Sequence, residues 1–192
     1  MSRTAHWFRS THVRALTAAA LGACLLLGGV IISVDRLHTT PADVLDHPAD
    51  PVTDEQSAAQ VVESAKQIVT MTGLRTASAG YTLMSCKDRD DPPYQGAVYV
   101  TFTLPASAPA DAYFTEIAAT LVDHGWAEAL PPGDRALAKT LSKDAVTVMV
   151  SRQSDAPGMG VLRIYGQCRN MNDHRKDATS WVDITDQLPR TG

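Results

Sequence analysis

The residues able to do chemistry in this 192-residue chain are few and scattered. The densest polar cluster is Arg169, Asn170, Asp173 and His174 near the C-terminus. An Asp–His neighbour pair beside a cation and an amide could exchange a proton or hold an anion. The plainer reading of the same residues is a solvated tail. His124 could be a ligand, but a histidine in the last turn of a helix ordinarily serves the negative end of the dipole. Asp88, Asp90 and Asp91 alternate loosely like calcium ligands. Pro92-Pro93 follows them, however, and no glutamate stands at the twelfth position of a loop. Ser142, Ser151 and Ser154 lack the strand–turn–helix context of a nucleophile elbow. Gly158-Met159-Gly160 reads as a turn rather than a phosphate cradle, because no helix follows it. The sequence therefore assigns no catalytic residue, no metal site and no cofactor.

Three cysteines remain. Cys24 lies inside an uncharged segment, whereas Cys86 and Cys168 close the first and last expected strands. An even pair in a translocated domain predicts a disulfide, the alternative being two unrelated buried thiols. A metal site would need more ligands at short spacing, and there is no Cys-x-x-Cys.

The compartment follows from the N-terminus. Residues 1–14 carry Arg3, Arg9 and Arg14 and no acid, and residues 15–34 carry no charge at all. As a helix that run would rise about 30 Å, the thickness of a hydrocarbon core. The basic flank predicts that the N-terminus stays inside and the remainder is translocated. An uncleaved, single-pass signal-anchor is the expectation. A cleaved secretory signal is one alternative. Another is a lipoprotein signal, since Leu21-Gly22-Ala23-Cys24 fits a lipobox that would be lipidated at Cys24. Leu25, Leu26 and Leu27 continue the apolar run where a polar stretch would be usual. Every version puts the domain outside the cytoplasm, with the membrane as partner through this segment.

Residues 35–52 hold three prolines and many small polar residues, and read as a flexible tether. Residues 53–192 are expected to form one extracytoplasmic domain. Thr53 and Gln56 make a capping box, and Ala58, Val61, Val62, Ala65, Ile68 and Val69 form an apolar stripe of helical period. Gly73 stands at the C-terminal cap. Strands are predicted over 81–87 and 96–104, the second with Val98, Val100, Phe102 and Leu104 on one face and Tyr99, Thr101 and Thr103 on the other. A second helix over about 109–124 would bury Tyr113, Phe114, Ile117, Ala118, Leu121 and Val122. After Trp126 and a short extended piece, a hairpin over 137–141 and 146–150 and a last strand over 161–167 complete the order. Trp181, Val182, Ile184 and Leu188 suggest a tail that folds back. Short connections favour antiparallel neighbours, so the fold class is α+β: an antiparallel sheet with both helices packed on one face.

Three stretches together resemble a known group. They are Ser85-Cys86-Lys87 running into Pro92-Pro93-Tyr94-Gln95-Gly96, then His124-Gly125-Trp126, then Gly166-Gln167-Cys168-Arg169-Asn170. They resemble uncharacterised LppA-type envelope lipoproteins of mycobacteria and related actinobacteria, over about residues 53–181. The resemblance implies an envelope location and, in such proteins, lipidation at an N-terminal cysteine. It implies no activity.

The net charge of −4 lacks the basic footprint of a nucleic-acid binder. A non-catalytic binding or scaffold module of the cell envelope is the function expected, its partner an envelope protein or a small molecule. The alternatives are a carrier of a small apolar ligand and an enzyme whose site is assembled from distant residues. An exposed aromatic patch would favour the binding module, an apolar cavity the carrier, and a deep polar pocket with strongly shifted acids the enzyme.

Overall fold

The computed structural model describes residues 45–87, 91–129, 138–177 and 181–189. The expected apolar segment 15–34, with Cys24, lies outside the described residues, as do Asp88 and Asp90. Among the described residues no helix is long and apolar enough to cross a membrane.

Residues 45–192 make one compact unit. Its first helix, α1 (Asp54–Thr72), starts and stops where its chemistry dictates. The Gln56 amide donates to Thr53 Oγ1 over 3.2 Å, and the Thr53 amide donates to Gln56 Oε1 over 2.9 Å. Two of the orphan donors of the first turn are thus satisfied reciprocally. Gly73, in the left-handed region at φ 62°, ends the helix without the clash a side chain would bring. The second helix, α2 (Ala110–Asp123), follows Pro109, whose carbonyl accepts from the Tyr113 amide.

The strands are β1 (Thr76–Ser85), β2 (Tyr94–Thr103), β3 (Ala127–Ala129), β4 (Lys139–Lys143), β5 (Val146–Arg152), β6 (Met159–Tyr165) and β7 (Val182–Asp183). They form one sheet in the order β3-β4-β5-β6-β2-β1-β7, antiparallel throughout. The fold class is therefore the α+β arrangement expected. The β4–β5 hairpin turns on Asp144 and Ala145, both at positive φ, the twist that a two-residue hairpin requires.

Alternation decides what each face does. Val98 and Val100 of β2 face the helices together with Leu162 and Ile164 of β6 and Val148 and Val150 of β5. They enclose one core with Val61, Ala65 and Ile68 of α1 and Phe114, Ile117 and Leu121 of α2. Both helices thus share one side of the sheet. Two details differ from the sequence reading. The strand expected at 81–87 begins at Thr76, where small residues hide the β pattern. Val122 is exposed rather than buried, because a last-turn residue next to Leu121 is already rotated about 100° off the apolar face.

The disulfide follows from the topology. β1 and β6 are both antiparallel to β2, so they run parallel to each other on either side of it. Their C-terminal ends lie at the same end of the sheet, and Cys86 and Cys168 follow those ends. The two are bonded, with Cα atoms 6.0 Å apart and a sequence separation of 82.

Candidate functional site

The C-terminal polar cluster separates into two sets of contacts. After β6 the chain returns beside the start of β2. The amides of Tyr94 and Asn170 each donate to the other's carbonyl, over 2.6 and 3.1 Å. This places the Asn170 side chain, fully buried, under the first turn of α1. There Asn170 Nδ2 donates to Asp54 Oδ1 over 2.7 Å, and Asn172 Nδ2 donates to the same oxygen over 2.8 Å. His174 Nε2 lies 3.2 Å from that oxygen, while its Nδ1 lies 2.7 Å from Asp177 Oδ2. The imidazole also meets the Tyr94 ring edge to face, with centroids 4.9 Å apart.

Burial pushes the Asp54 carboxyl up. The hydrogen bonds from Asn170 and Asn172, with the charge of His174, more than offset this and hold it below its ordinary value. A carboxylate so held, at the positive end of α1, is a weak proton acceptor and a good structural anchor. The other expected members turn elsewhere. Asp173 takes two hydrogen bonds from the Arg175 guanidinium, which holds its carboxyl well below the usual range, and Arg175 also reaches Asp91. Arg169 Nε donates to the Asp50 carbonyl and its Nη1 to Gln167 Oε1. Thus Asn170 and His174 come together, whereas Asp173 and Arg169 do not join them. The sequence reading missed Asp54, Asn172 and Asp177 as members of this knot. Asp54 already stood in the capping region, but nothing in the sequence links it to the tail. His124 Nδ1 contacts the Thr120 carbonyl in the last turn of α2, as a helix-end histidine would. Among the described residues no three His, Cys, Asp or Glu side chains are grouped to hold a metal.

The same tail shapes two apolar features. On the face of the sheet away from the helices, the Trp181 ring lies directly on Gly80: a Cβ there would come within 1.7 Å of Trp181 Cζ2. Its ring centroid is 5.9 Å from that of Tyr99, which in turn contacts Tyr165 edge to face and lies beneath the Arg163 guanidinium. Trp181 is held by these neighbours and remains 48% exposed. On the helix side, an open groove of about 400 Å³ runs between α1 and the tail. Ala58, Ala59 and Val62 form one wall, Val182 and Ile184 the other, with Tyr81 on the floor.

Fold and site together define a disulfide-bridged α+β domain whose C-terminal tail is pinned to its first helix. The family described as "Putative lipoprotein LppJ" matches residues 53–187, and the chain belongs to that family. Proteins of this name in Mycobacterium bovis and in two strains of Mycobacterium tuberculosis are 40% identical to it over 176 residues, covering 91% of this chain and 91% of each relative. The resemblance to mycobacterial lipoproteins holds at that level. The family matched is LppJ, and these matches give no support to the LppA type. No solved structure matches.

Proposed function

We propose that this chain is a membrane-tethered module on the outer side of the cytoplasmic membrane that binds a partner rather than transforming a substrate. The observation that carries the reading is Trp181. It is seated on Gly80, beside Tyr99, and still half exposed. A large ring that is immobilised before binding loses little entropy when a partner covers it, which is why such residues dominate binding energy. The Asp54 knot and the disulfide support the same reading, since both fix the tail that presents the ring.

The relatives' name favours tethering through lipid on Cys24, within Leu21-Gly22-Ala23-Cys24. An intact span over 15–34 is the second reading, favoured by the uncharged stretch from Leu25 to Val34 that follows Cys24. The domain architecture proposed is a basic segment at 1–14, the apolar segment at 15–34, a tether and the extracytoplasmic domain.

A photo-crosslinking amino acid placed at position 181 in growing cells tests the binding claim. A discrete adduct formed at 181, and not at exposed Asp155, is the expected result. Equal and diffuse labelling at both positions would contradict it.

A further inference from the structure

The geometry points to the groove between α1 and the tail as a binding site for the acyl chain of a single-chain anionic amphiphile, of which a long-chain fatty acid is the simplest form. The inference goes beyond the binding-module reading above: it adds a second site, on the helix side of the sheet and apart from Trp181, with a ligand class of its own. The groove has about 400 Å³, within the range of pockets that hold small molecules. Its walls are aliphatic: Ala58 and Ala59 are small enough to leave a trough beside Val62, and Val182 and Ile184 close it opposite. The floor is the Tyr81 ring. The Tyr81 hydroxyl is buried and so offers the groove no polar contact. A ligand there meets mostly hydrocarbon, with Gln187 the polar side chain on the tail side, and gains about 25 cal/mol for each Å² of apolar surface it buries. Val182, 48% exposed, is apolar surface that such a ligand would cover.

The polar groups gather on the rim. Glu63 and Lys66 lie one helical turn apart on α1 and border the trough, joined by an ion pair of 2.7 Å. The Glu63 side chain is more exposed than that of Lys66. An exposed pair of this kind is weakly held, so the ammonium can exchange Glu63 for the carboxylate of a ligand at little cost. An anionic head beside an aliphatic trough is the charge pattern these residues complement. A wholly apolar molecule would leave Lys66 to Glu63 alone, and a cationic amphiphile could pair only with Glu63, the more solvent-exposed and so the more weakly interacting of the two.

The test uses the full chain in phospholipid nanodiscs, with palmitic acid bearing a diazirine near the end of its chain, followed by mass mapping of the adducts. Adducts are expected on α1 between Ala58 and Lys66 and on the tail between Val182 and Gln187. Ala59→Trp, at an exposed helix position, fills the trough and is expected to lower labelling about tenfold or more. Val182→Glu, at an exposed strand position, should lower it comparably by a different means. Lys66→Ala should lower labelling by the acid about threefold while leaving the methyl ester unchanged, the size expected for one partly exposed charge pair. Adducts confined to other surfaces, or labelling indifferent to both trough variants, would overturn the proposal. Either result would leave the binding-module reading to the position-181 experiment, which does not involve the groove.

Discussion

Asn170 Nδ2 donates to Asp54 Oδ1 across 116 residues of sequence, and this bond fastens the chain that follows β6 to the first turn of α1. Asn170 has no exposed surface, so its amide has no water to turn to. Its Oδ1 also accepts from the Asn172 amide over 2.9 Å, which sets the direction of the tail. Asn170→Ala should lower the free energy of unfolding by about 2 kcal/mol, the usual scale for a hydrogen bond to a charged group, as measured by denaturant titration.

The same knot gives stability a defined acid limb. The folded Asp54 carboxyl titrates below its ordinary value of 3.8. A depressed carboxyl contributes stability that is present above the unfolded value and is lost as pH falls through the folded one. Asp54→Asn keeps the acceptor oxygen and removes the charge. Its stability, followed by denaturation from neutral pH down to the acid range, should change less below pH 3.8 than that of the parent.

Tyr81 should behave in the opposite sense. Burial, with the charges of Asp54 and Glu55, pushes its hydroxyl up to about 12 from the ordinary 10.0. The fold favours the protonated phenol, so this contribution is complete below pH 10 and is lost as pH rises through 12. The buried hydroxyl has no hydrogen-bond partner among the described residues. Tyr81→Phe should therefore match the parent at neutral pH or exceed it by about 1 kcal/mol, and should lose less stability in the alkaline range. Denaturation at neutral pH and again above pH 10 checks both parts.

Trp181 depends on the absence of a side chain at Gly80. Gly80→Ala would put a methyl group 1.7 Å from Trp181 Cζ2, so the ring must lift away from the sheet. The core on the helix side is untouched, and the loss of stability should stay within about 1–3 kcal/mol. The emission of Trp181, isolated by replacing the other two tryptophans with Phe, should shift to longer wavelength. Crosslinking from position 181 should fall in the same variant.

Much of this architecture is legible in the residues, for reasons that differ by element. The α1 boundaries are written in Thr53, Gln56 and Gly73, and its buried side in a stripe of six apolar residues, so local chemistry alone defines it. β2 shows clean alternation because one face is core and the other is not. The first half of β1 is hidden: Thr76–Gly80 is small and nearly featureless, and becomes a strand through pairing with β2 and, at Gly80, through the Trp181 ring. The Cys86–Cys168 bridge could be anticipated because both residues follow closely on strands whose ends share one edge of the fold. The polar knot could not, since Asp54 and Asn170 meet only after the sheet has brought the tail back beside β2. The groove was equally hidden, because one of its walls belongs to that returning tail.

The deciding measurement is the intact mass, before and after reduction and alkylation, of the protein recovered from the membrane and soluble fractions of cells that produce it. A membrane-bound species that keeps Leu25 to Val34 is expected, either beginning at an acylated Cys24 or extending over the full 20.6 kDa chain. Cys86 and Cys168 should take up alkylating reagent only after reduction. A soluble species lacking the apolar segment, or one whose two domain cysteines react without reduction, would contradict it.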